Sequence, residues 1–336
     1  MNWLKNISII GIDYRKRRAD YSLPFIFIPS IKKGLFIMSI KSLHIKNFTV
    51  FEDLELDFSP SINIFIGENG TGKTQILKMI YSCCEANNDI DKFRLMLADC
   101  FQVSNLNNIP LIKLDNNFEK SISSIFIPSK DMLTHSKGLL TMAELYSKSM
   151  PFDKTILDII DRATRWHLNE VEPWIRCILT KLEEIIGGTV FERDGGFFVL
   201  NEDGKEISFS FEAEGVKKFG LLWLLLVNGS IDKDTTLIWD EPDANINPKF
   251  IPILVEILLE LAKHGVQIFI ATHDYYFPQY VEVFATENDI VKFHSLYETD
   301  NGIKCETNDK FSMLSHNDIN NEANRLYDAE IIKVMQ

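Results

Sequence analysis

The sequence predicts an α/β protein built on a parallel sheet, with a smaller antiparallel β subdomain and an inserted helical lobe. Three observations lead to this fold class. A glycine-rich loop at residues 67–74 follows a short apolar run and precedes a helical pattern. Apolar strand and helix patterns alternate from residue 212 to residue 271. Two of these strands are followed at once by polar residues, which is typical of the ligand-binding edge of a parallel sheet.

Further strands are predicted before residue 212. Residues 41–48 and 51–58 alternate between apolar and polar residues, so we expect two antiparallel strands that lead into the apolar run before the glycine loop. Residues 123–130 predict a short buried strand that ends at Pro128. Residues 190–211 predict a β-meander, because Asp-Gly pairs divide it into short segments.

A helical lobe is expected within this framework. Apolar residues recur at helical spacing between residues 139 and 186, and Gly187 ends the last helix. We expect Trp166 and Trp174 to supply bulk to the core. The sequence thus predicts a main domain at residues 38–336 with a helical insertion at about residues 85–187.

The first 37 residues differ in composition from the rest of the chain. They carry seven basic residues against two acidic ones, while the whole chain has a net charge of -13. One interpretation is a basic arm for nucleic acid or a membrane surface. The other is an upstream translation start that adds a loosely attached extension before Met38. We favour the second, because nothing in this segment completes a motif.

Composition excludes several classes of protein. No apolar run is long enough to cross a bilayer, so we expect no membrane association. The acidic balance gives no global basic surface for nucleic acid. Five cysteines without metal-ligand spacing indicate reduced thiols in a cytoplasmic protein.

The loop GENGTGKT matches the phosphate-binding pattern G-x-x-x-x-G-K-[ST] at every fixed position. Its backbone N–H groups and the start of the following helix favour an anion. Lys73 is expected to reach the β- and γ-phosphates of a nucleotide, and Thr74 to ligate Mg²⁺. The predicted nucleotide-binding residues are Gly67, Glu68, Asn69, Gly70, Thr71, Gly72, Lys73 and Thr74.

Two further motifs follow buried strands later in the chain. Asp240 and Glu241 end the run TTLIWDE, which fits the Walker B pattern. We expect Asp240 to hold Mg²⁺ opposite Thr74, and Glu241 to orient or deprotonate the attacking water. His273 ends the next strand and is a candidate for contact with the γ-phosphate. Because all three strands are predicted to be parallel, their carboxyl ends should meet at one site.

The segments GENGTGKT, LIWDEPDANINPK and FIATHDYYF resemble the ABC-type ATPase heads of the RecF, SMC and OLD class. The similarity is greatest to stand-alone AAA-family ATP-binding proteins of bacterial anti-phage systems. It implies hydrolysis of ATP with Mg²⁺, a homodimer that encloses two ATP molecules, and a separate effector protein as partner. It also leaves DNA open as a further partner.

The signature segment of that class falls at residues 213–218 in this chain. The resemblance implies that Gly215 contacts the ATP of the other subunit, with a dimer contact around residues 212–218 and 243–248. Ala213 stands where the class has a serine, and Asn247 stands where many members have an aspartate. No glutamine occupies a clear Q-loop position, since Gln102 does not follow a predicted strand.

Three other functions stay open on the residues alone. Transporter ATPase subunits share the fold but usually carry a fuller serine-glycine signature. A DNA-repair head of the SMC kind would show long heptad arms, which the sequence lacks. An OLD-type nuclease needs an appended domain, and only about 60 residues follow His273.

Overall fold

The computed structural model describes residues 39–87, 89–102, 111–116, 123–145 and 152–335. The predicted basic extension at residues 1–37 lies outside the described residues. Within the described part, no helix combines the length and the apolar character needed to cross a membrane.

The described residues form twelve strands and nine α-helices. The strands are β1 (Ile40–Phe48), β2 (Phe51–Asp57), β3 (Ile62–Gly67), β4 (Leu111–Asn116), β5 (Ser123–Ile127), β6 (Gly188–Arg193), β7 (Gly196–Asn201), β8 (Glu206–Ser208), β9 (Thr235–Asp240), β10 (Gln267–Ala271), β11 (Val291–Thr299) and β12 (Gly302–Asn308). The helices are α1 (Lys73–Ala86), α2 (Ile90–Phe101), α3 (Leu139–Leu145), α4 (Lys154–Ala163), α5 (Pro173–Ile186), α6 (Glu214–Val227), α7 (Ile251–Lys263), α8 (Tyr276–Phe284) and α9 (Asp318–Met335).

The central sheet has six strands in the order β12-β11-β3-β10-β9-β5. Five of them run parallel, and only the edge strand β12 pairs antiparallel, with β11. Strands β9 and β10 are buried along their whole length, because helices cover both faces of the sheet. The predicted α/β class with a parallel sheet is confirmed.

Two smaller antiparallel sheets flank the central one, as the alternating patterns predict. Strands β2, β1 and β4 form the first, and β6, β7 and β8 form the meander. The segment between residues 85 and 187 holds helices α2 to α5. It also supplies β4 to the first antiparallel sheet and β5 to the edge of the central sheet.

Helix α6 lies in the centre of the hydrophobic core. Every residue from Lys217 to Val227 is buried, and the leucines in this stretch pack against α5 and the central sheet. A helix that is apolar on all sides must be covered on all sides. The start of α6 is therefore held by the same core as the sheet.

The prediction for Trp166 is wrong. Trp166 is 94% exposed and lies in the loop between α4 and α5. Trp174 is partly buried, and its ring stacks on His264 with the centroids 4.3 Å apart. A residue's apolar character does not reveal whether it belongs to a helix face or to a loop outside the core, which accounts for the error. The sequence patterns also did not predict α2, α8, α9, β4, β11 and β12.

The side chain of Gln267 joins the central sheet to the first antiparallel sheet. Its amide Nε2 donates to the carbonyl oxygens of Ile40 at 2.9 Å and Ser59 at 2.8 Å. Its Oε1 accepts from the backbone N–H of Ile40 at 2.8 Å. Gln267 is buried, so these bonds form away from water. They fix β1 beside the amino end of β10.

We predict that Gln267→Leu lowers the free energy of unfolding by about 3 kcal/mol, because three buried backbone groups lose their partners. Urea unfolding of the purified protein measures this value. Gln279→Leu, at a partly exposed position on α8, is the matched control and should change stability by less than about 0.5 kcal/mol. Equal effects of the two substitutions would contradict the role given to Gln267.

Candidate functional site

Three loops meet at the carboxyl edge of the central sheet. In the ladder, Ala271 of β10 lies beside Phe65 of β3 and Asp240 of β9. The backbone N–H of Thr272 donates to the carbonyl of Phe65 at 3.0 Å, and that of Glu241 donates to the carbonyl of Ala271 at 2.8 Å. The ladder therefore continues by one hydrogen bond beyond β9 and β10, so the residues that follow these two strands stay in register with the sheet.

The glycine loop packs closely against neighbouring elements at two of its glycines. A Cβ atom on Gly67, whose φ is +140°, would overlap the carbonyl oxygen of Leu296 in β11. A Cβ atom on Gly72 would overlap the ring of Phe51. Helix α1 begins at Lys73 without a side-chain cap, so the N–H groups of its first turn are open to an anion. Glu68, Asn69 and Gly70 form the exposed apex of the loop, and the hydroxyl of Thr71 donates back to the carbonyl of Glu68 at 2.9 Å.

Lys73 is buried with its ammonium group inside the glycine loop. Its Nζ donates to the carbonyl oxygens of Gly67 at 2.7 Å and Glu68 at 2.8 Å. Burial lowers the pKa of Lys73, and the carboxylates of Glu241 and Asp240 oppose that change. A buried cation next to uncapped helix N–H groups is a strong attractant for phosphate.

Thr74 and Asp240 face each other across the site. The Thr74 hydroxyl donates to Asp240 Oδ2 at 2.9 Å and lies 3.1 Å from Oδ1. Burial raises the pKa of Asp240 to about 6, because the ionised carboxylate loses hydration there. A bound cation would stabilise the ionised form. A hydroxyl and a carboxylate beside a phosphate loop form a donor set that suits Mg²⁺, which takes few protein ligands and fills the rest of its shell with phosphate oxygens and water. The residues present therefore fit this cation.

Glu241 has an unusual backbone conformation. Its φ is +49°, a left-handed value that non-glycine residues rarely adopt and that is frequent at functional sites. The carboxylate Oε1 lies 3.1 Å from Nδ1 of His273. The carbonyl oxygen accepts from Nζ of Lys218 at 2.6 Å. Both ends of the residue are thereby held by partners on other elements.

The turn that carries His273 is fixed by its neighbours. The N–H of Asp274 donates to the hydroxyl of Thr272 at 2.9 Å. The carboxylate of Asp274 in turn accepts from the N–H of Phe277 at 2.6 Å, in the first turn of α8. His273 itself is half exposed, so its imidazole can reach both Glu241 and a ligand in the open site.

Gly215 lies apart from the three strand ends, in the first turn of α6. A Cβ atom at this position would lie 3.1 Å from the carbonyl oxygen of Asn245 and 3.3 Å from Cα of Ile246. The glycine therefore lets α6 pack against the turn that follows β9. Ala213 at the start of α6 provides no side-chain cap, so this helix end also has open N–H groups.

Two residues that the sequence analysis assigned only to the dimer contact are further candidates for the site itself. Lys218 and Asp243 are both buried next to Glu241. Burial lowers the pKa of Lys218 to about 8 and raises the pKa of Asp243, while their opposite charges favour the ionised forms. The only sequence signal was a Lys-Lys pair at the start of a strongly apolar helix, which also fits a solvated helix end.

A family model described as "AAA domain, putative AbiEii toxin, Type IV TA system" matches residues 109–277, just over half of the chain. A second model, described as "AAA ATPase domain", matches residues 38–172, which include the glycine loop.

Curated relatives match over a short segment. The DNA replication and repair protein RecF of Lactococcus lactis subsp. cremoris is 52% identical over 44 residues, which are 13% of this chain and 12% of the relative. RecF of Listeria monocytogenes is 49% identical over 43 residues, with the same coverage. The match therefore spans about an eighth of the length of these relatives, and over that segment the predicted resemblance to RecF is confirmed.

Among solved structures, the Smc head domain of Pyrococcus furiosus aligns with a TM-score of 0.46 at 12% identity, covering 81% of this chain and 96% of that one. The SMC head domain of Thermotoga maritima aligns with a TM-score of 0.42 at 14% identity, covering 80% and 98%.

The site geometry and the family match agree on one chemistry. A phosphate loop, a hydroxyl-carboxylate pair and an adjacent glutamate converge at one sheet edge, and the family model extends over β9, the strand that carries Asp240 and leads into Glu241. The chain belongs to the AAA-domain family described as putative AbiEii toxin, Type IV TA system, and it is a P-loop ATPase.

Proposed function

We propose that this ATPase is a switch that binds Mg-ATP, dimerises in the ATP-bound state and controls a separate effector protein in anti-phage defence. The observation that carries the proposal is the placement of Glu241 directly after Asp240, with Asp240 hydrogen-bonded to Thr74 and Glu241 next to His273. This arrangement provides both a cation site and a base at the end of a phosphate loop. We place the reaction in the cytoplasm.

The nucleotide is held by the loop and by α1. The N–H groups of residues 70–74 and the ammonium of Lys73 bind the β- and γ-phosphates, and Lys73 exchanges the carbonyls of Gly67 and Glu68 for phosphate oxygens. Thr74 and Asp240 would hold Mg²⁺, which when bound would neutralise negative charge on the phosphates.

Hydrolysis is a single displacement at the γ-phosphorus. The oxygen of a water forms a bond to phosphorus while the bond to the β–γ bridging oxygen breaks, so ADP and phosphate leave. Glu241 accepts the proton of the attacking water. His273 holds the Glu241 carboxylate and contacts the γ-phosphate, which ties the position of the base to the presence of ATP.

Dimer formation is supported by the start of α6. Its uncapped N–H groups and Gly215 form an anion-binding end that has no use in the site of the same chain. We propose that this end binds the γ-phosphate held by a second copy. Ala213 supplies no hydroxyl there, which costs about 1 kcal/mol, or up to about 3 for a bond to a charged group. Basal hydrolysis should therefore be slow until the effector binds.

We expect the effector to be a separate protein. The family description names a putative toxin of a type IV TA system, which supports a paired protein as the target of the switch. We expect tagged protein carrying Glu241→Gln to retain this partner in a pull-down when Mg-ATP is present and to release it with Mg-ADP. Equal recovery in the two nucleotides would argue against control by ATP.

A second candidate is maintenance of DNA, which the local identity to RecF favours. The two functions differ in what stimulates the ATPase. Linear double-stranded DNA should raise turnover if the chain is a DNA-repair head. The net charge of -13 argues against extensive phosphate contacts.

We predict that Glu241→Gln binds ATP as well as the natural protein does but hydrolyses it more slowly by a factor of about 100 or more, because the general base is lost. Steady-state phosphate release and titration with a fluorescent ATP analogue measure the two properties. Lys73→Ala is the contrasting variant. It should weaken ATP binding about tenfold or more, since it removes charged hydrogen bonds to phosphate. Unchanged turnover of Glu241→Gln would remove Glu241 from the mechanism.

We predict that Glu241→Gln doubles in mass when Mg-ATP is added, because trapped ATP holds two copies together. Light scattering with and without Mg-ATP detects the change. Gly215→Glu should abolish it by placing a carboxylate against the γ-phosphate. Gly215→Ala controls for crowding against Asn245 and should keep part of the dimer. A mass that stays constant in ATP, together with normal turnover of Gly215→Glu, would indicate an enzyme that works as a monomer.

A further inference from the structure

The peptide of Glu241 is fixed on two sides. Its N–H donates to Ala271 in β10 at 2.8 Å, which extends the ladder of the sheet. Its carbonyl oxygen accepts from Nζ of Lys218 in α6 at 2.6 Å. Between these two bonds the residue has a φ of +49°. A left-handed conformation of a non-glycine residue is unfavourable and persists only where surrounding contacts hold it.

Burial of Lys218 at this position is energetically unfavourable. Its side chain is 7% exposed, and a buried ammonium loses most of its hydration. The negative charge of Asp243, which is buried in the turn after Glu241, offsets part of this cost. One carboxylate oxygen of Asp243 has no hydrogen-bond partner among the described residues. Charge compensation alone does not require the ammonium to bind the carbonyl of Glu241, yet this is its one side-chain hydrogen bond to a described residue.

The position of Lys218 along α6 adds a second link. Gly215 and Lys218 are three residues apart and lie on one face of the helix. Gly215 packs on Asn245 and Ile246, and Lys218 binds Glu241. The first turn of α6 thus grips both ends of the turn at residues 241–246. A shift of this helix end would move the carbonyl of Glu241 with it.

We infer that Lys218 is a positioning residue, which holds the backbone of Glu241 so that its carboxylate points at the attacking water and couples the base to the start of α6. This inference rests on the proposed role of Glu241 as the base. Through Lys218, a ligand or protein that contacts Gly215 would change the rate of hydrolysis without touching the ATP bound to the same chain.

A double-mutant cycle tests this inference. We expect Lys218→Met to slow single-turnover hydrolysis about tenfold or more, because a misplaced base loses much of its effect. The affinity for ATP should stay within about twofold, since Lys218 contacts no residue of the glycine loop. Lys218→Arg keeps a charged donor and should recover part of the rate. In the Glu241→Gln background, Lys218→Met should cause no further loss, because the carboxylate that it positions is gone.

Lys217→Met is the matched control. Lys217 directly precedes Lys218 in α6 and is equally buried, at 6% exposure. Its ammonium pairs with Glu214 at 2.7 Å and lies 3.7 Å from Asp131, so it acts away from Glu241. Its effect on turnover should multiply with that of Glu241→Gln. Thermal unfolding of both lysine variants shows whether each loses a similar amount of stability.

The outcomes separate the inference from the proposed function. If Lys218→Met multiplies with Glu241→Gln as Lys217→Met does, Lys218 has only a structural role and the inference is overturned. If Glu241→Gln alone leaves hydrolysis unchanged, the proposed base is wrong and the inference falls with it. If Lys218→Met does not fold, the cycle is repeated in an Asp243→Asn background, which removes the uncompensated buried carboxylate and lowers the demand for the lysine.

Discussion

Parallel pairing of β3, β10 and β9 is the constraint on which the site depends. Regular hydrogen bonds join the neighbouring strands of this ladder, so Phe65, Ala271 and Asp240 lie at one level. A shift of one residue in β9 would turn Asp240 to the other face and break its contact with Thr74. The rigid sheet therefore sets the distance between the phosphate loop and the carboxylates, while the loops supply the chemistry.

Burial of charge gives the site its character. Lys73, Asp240, Lys218 and Asp243 are all buried within or beside the sheet edge. Ionised groups in such a place need partners, and several of these partners are backbone carbonyls or hydroxyls that a ligand can replace. The groups are thus poised for a nucleotide with its cation. Buried ionisable groups with shifted pKa values are common at catalytic and binding sites.

Helix α6 connects the core to this edge. Its apolar length packs on all sides against α5 and the sheet. Its first turn is different, since it has open N–H groups, a glycine against the turn after β9 and two buried lysines. A contact at the polar first turn of this helix can therefore affect the position of Glu241, which Lys218 holds.

The sequence by itself determined the class of the fold and the three motifs. Loop chemistry at residues 67–74 is local, and apolar runs before Asp240 and Thr272 reveal buried strands without knowledge of their neighbours. Only the tertiary structure decided which side chains meet. The bond from Lys218 to Glu241 joins residues 23 positions apart, and Leu296 crowds Gly67 from a strand that the pattern did not predict. Trp166 fell outside the core for the same reason. Burial and contact depend on distant segments, whereas periodicity reports only on the segment itself.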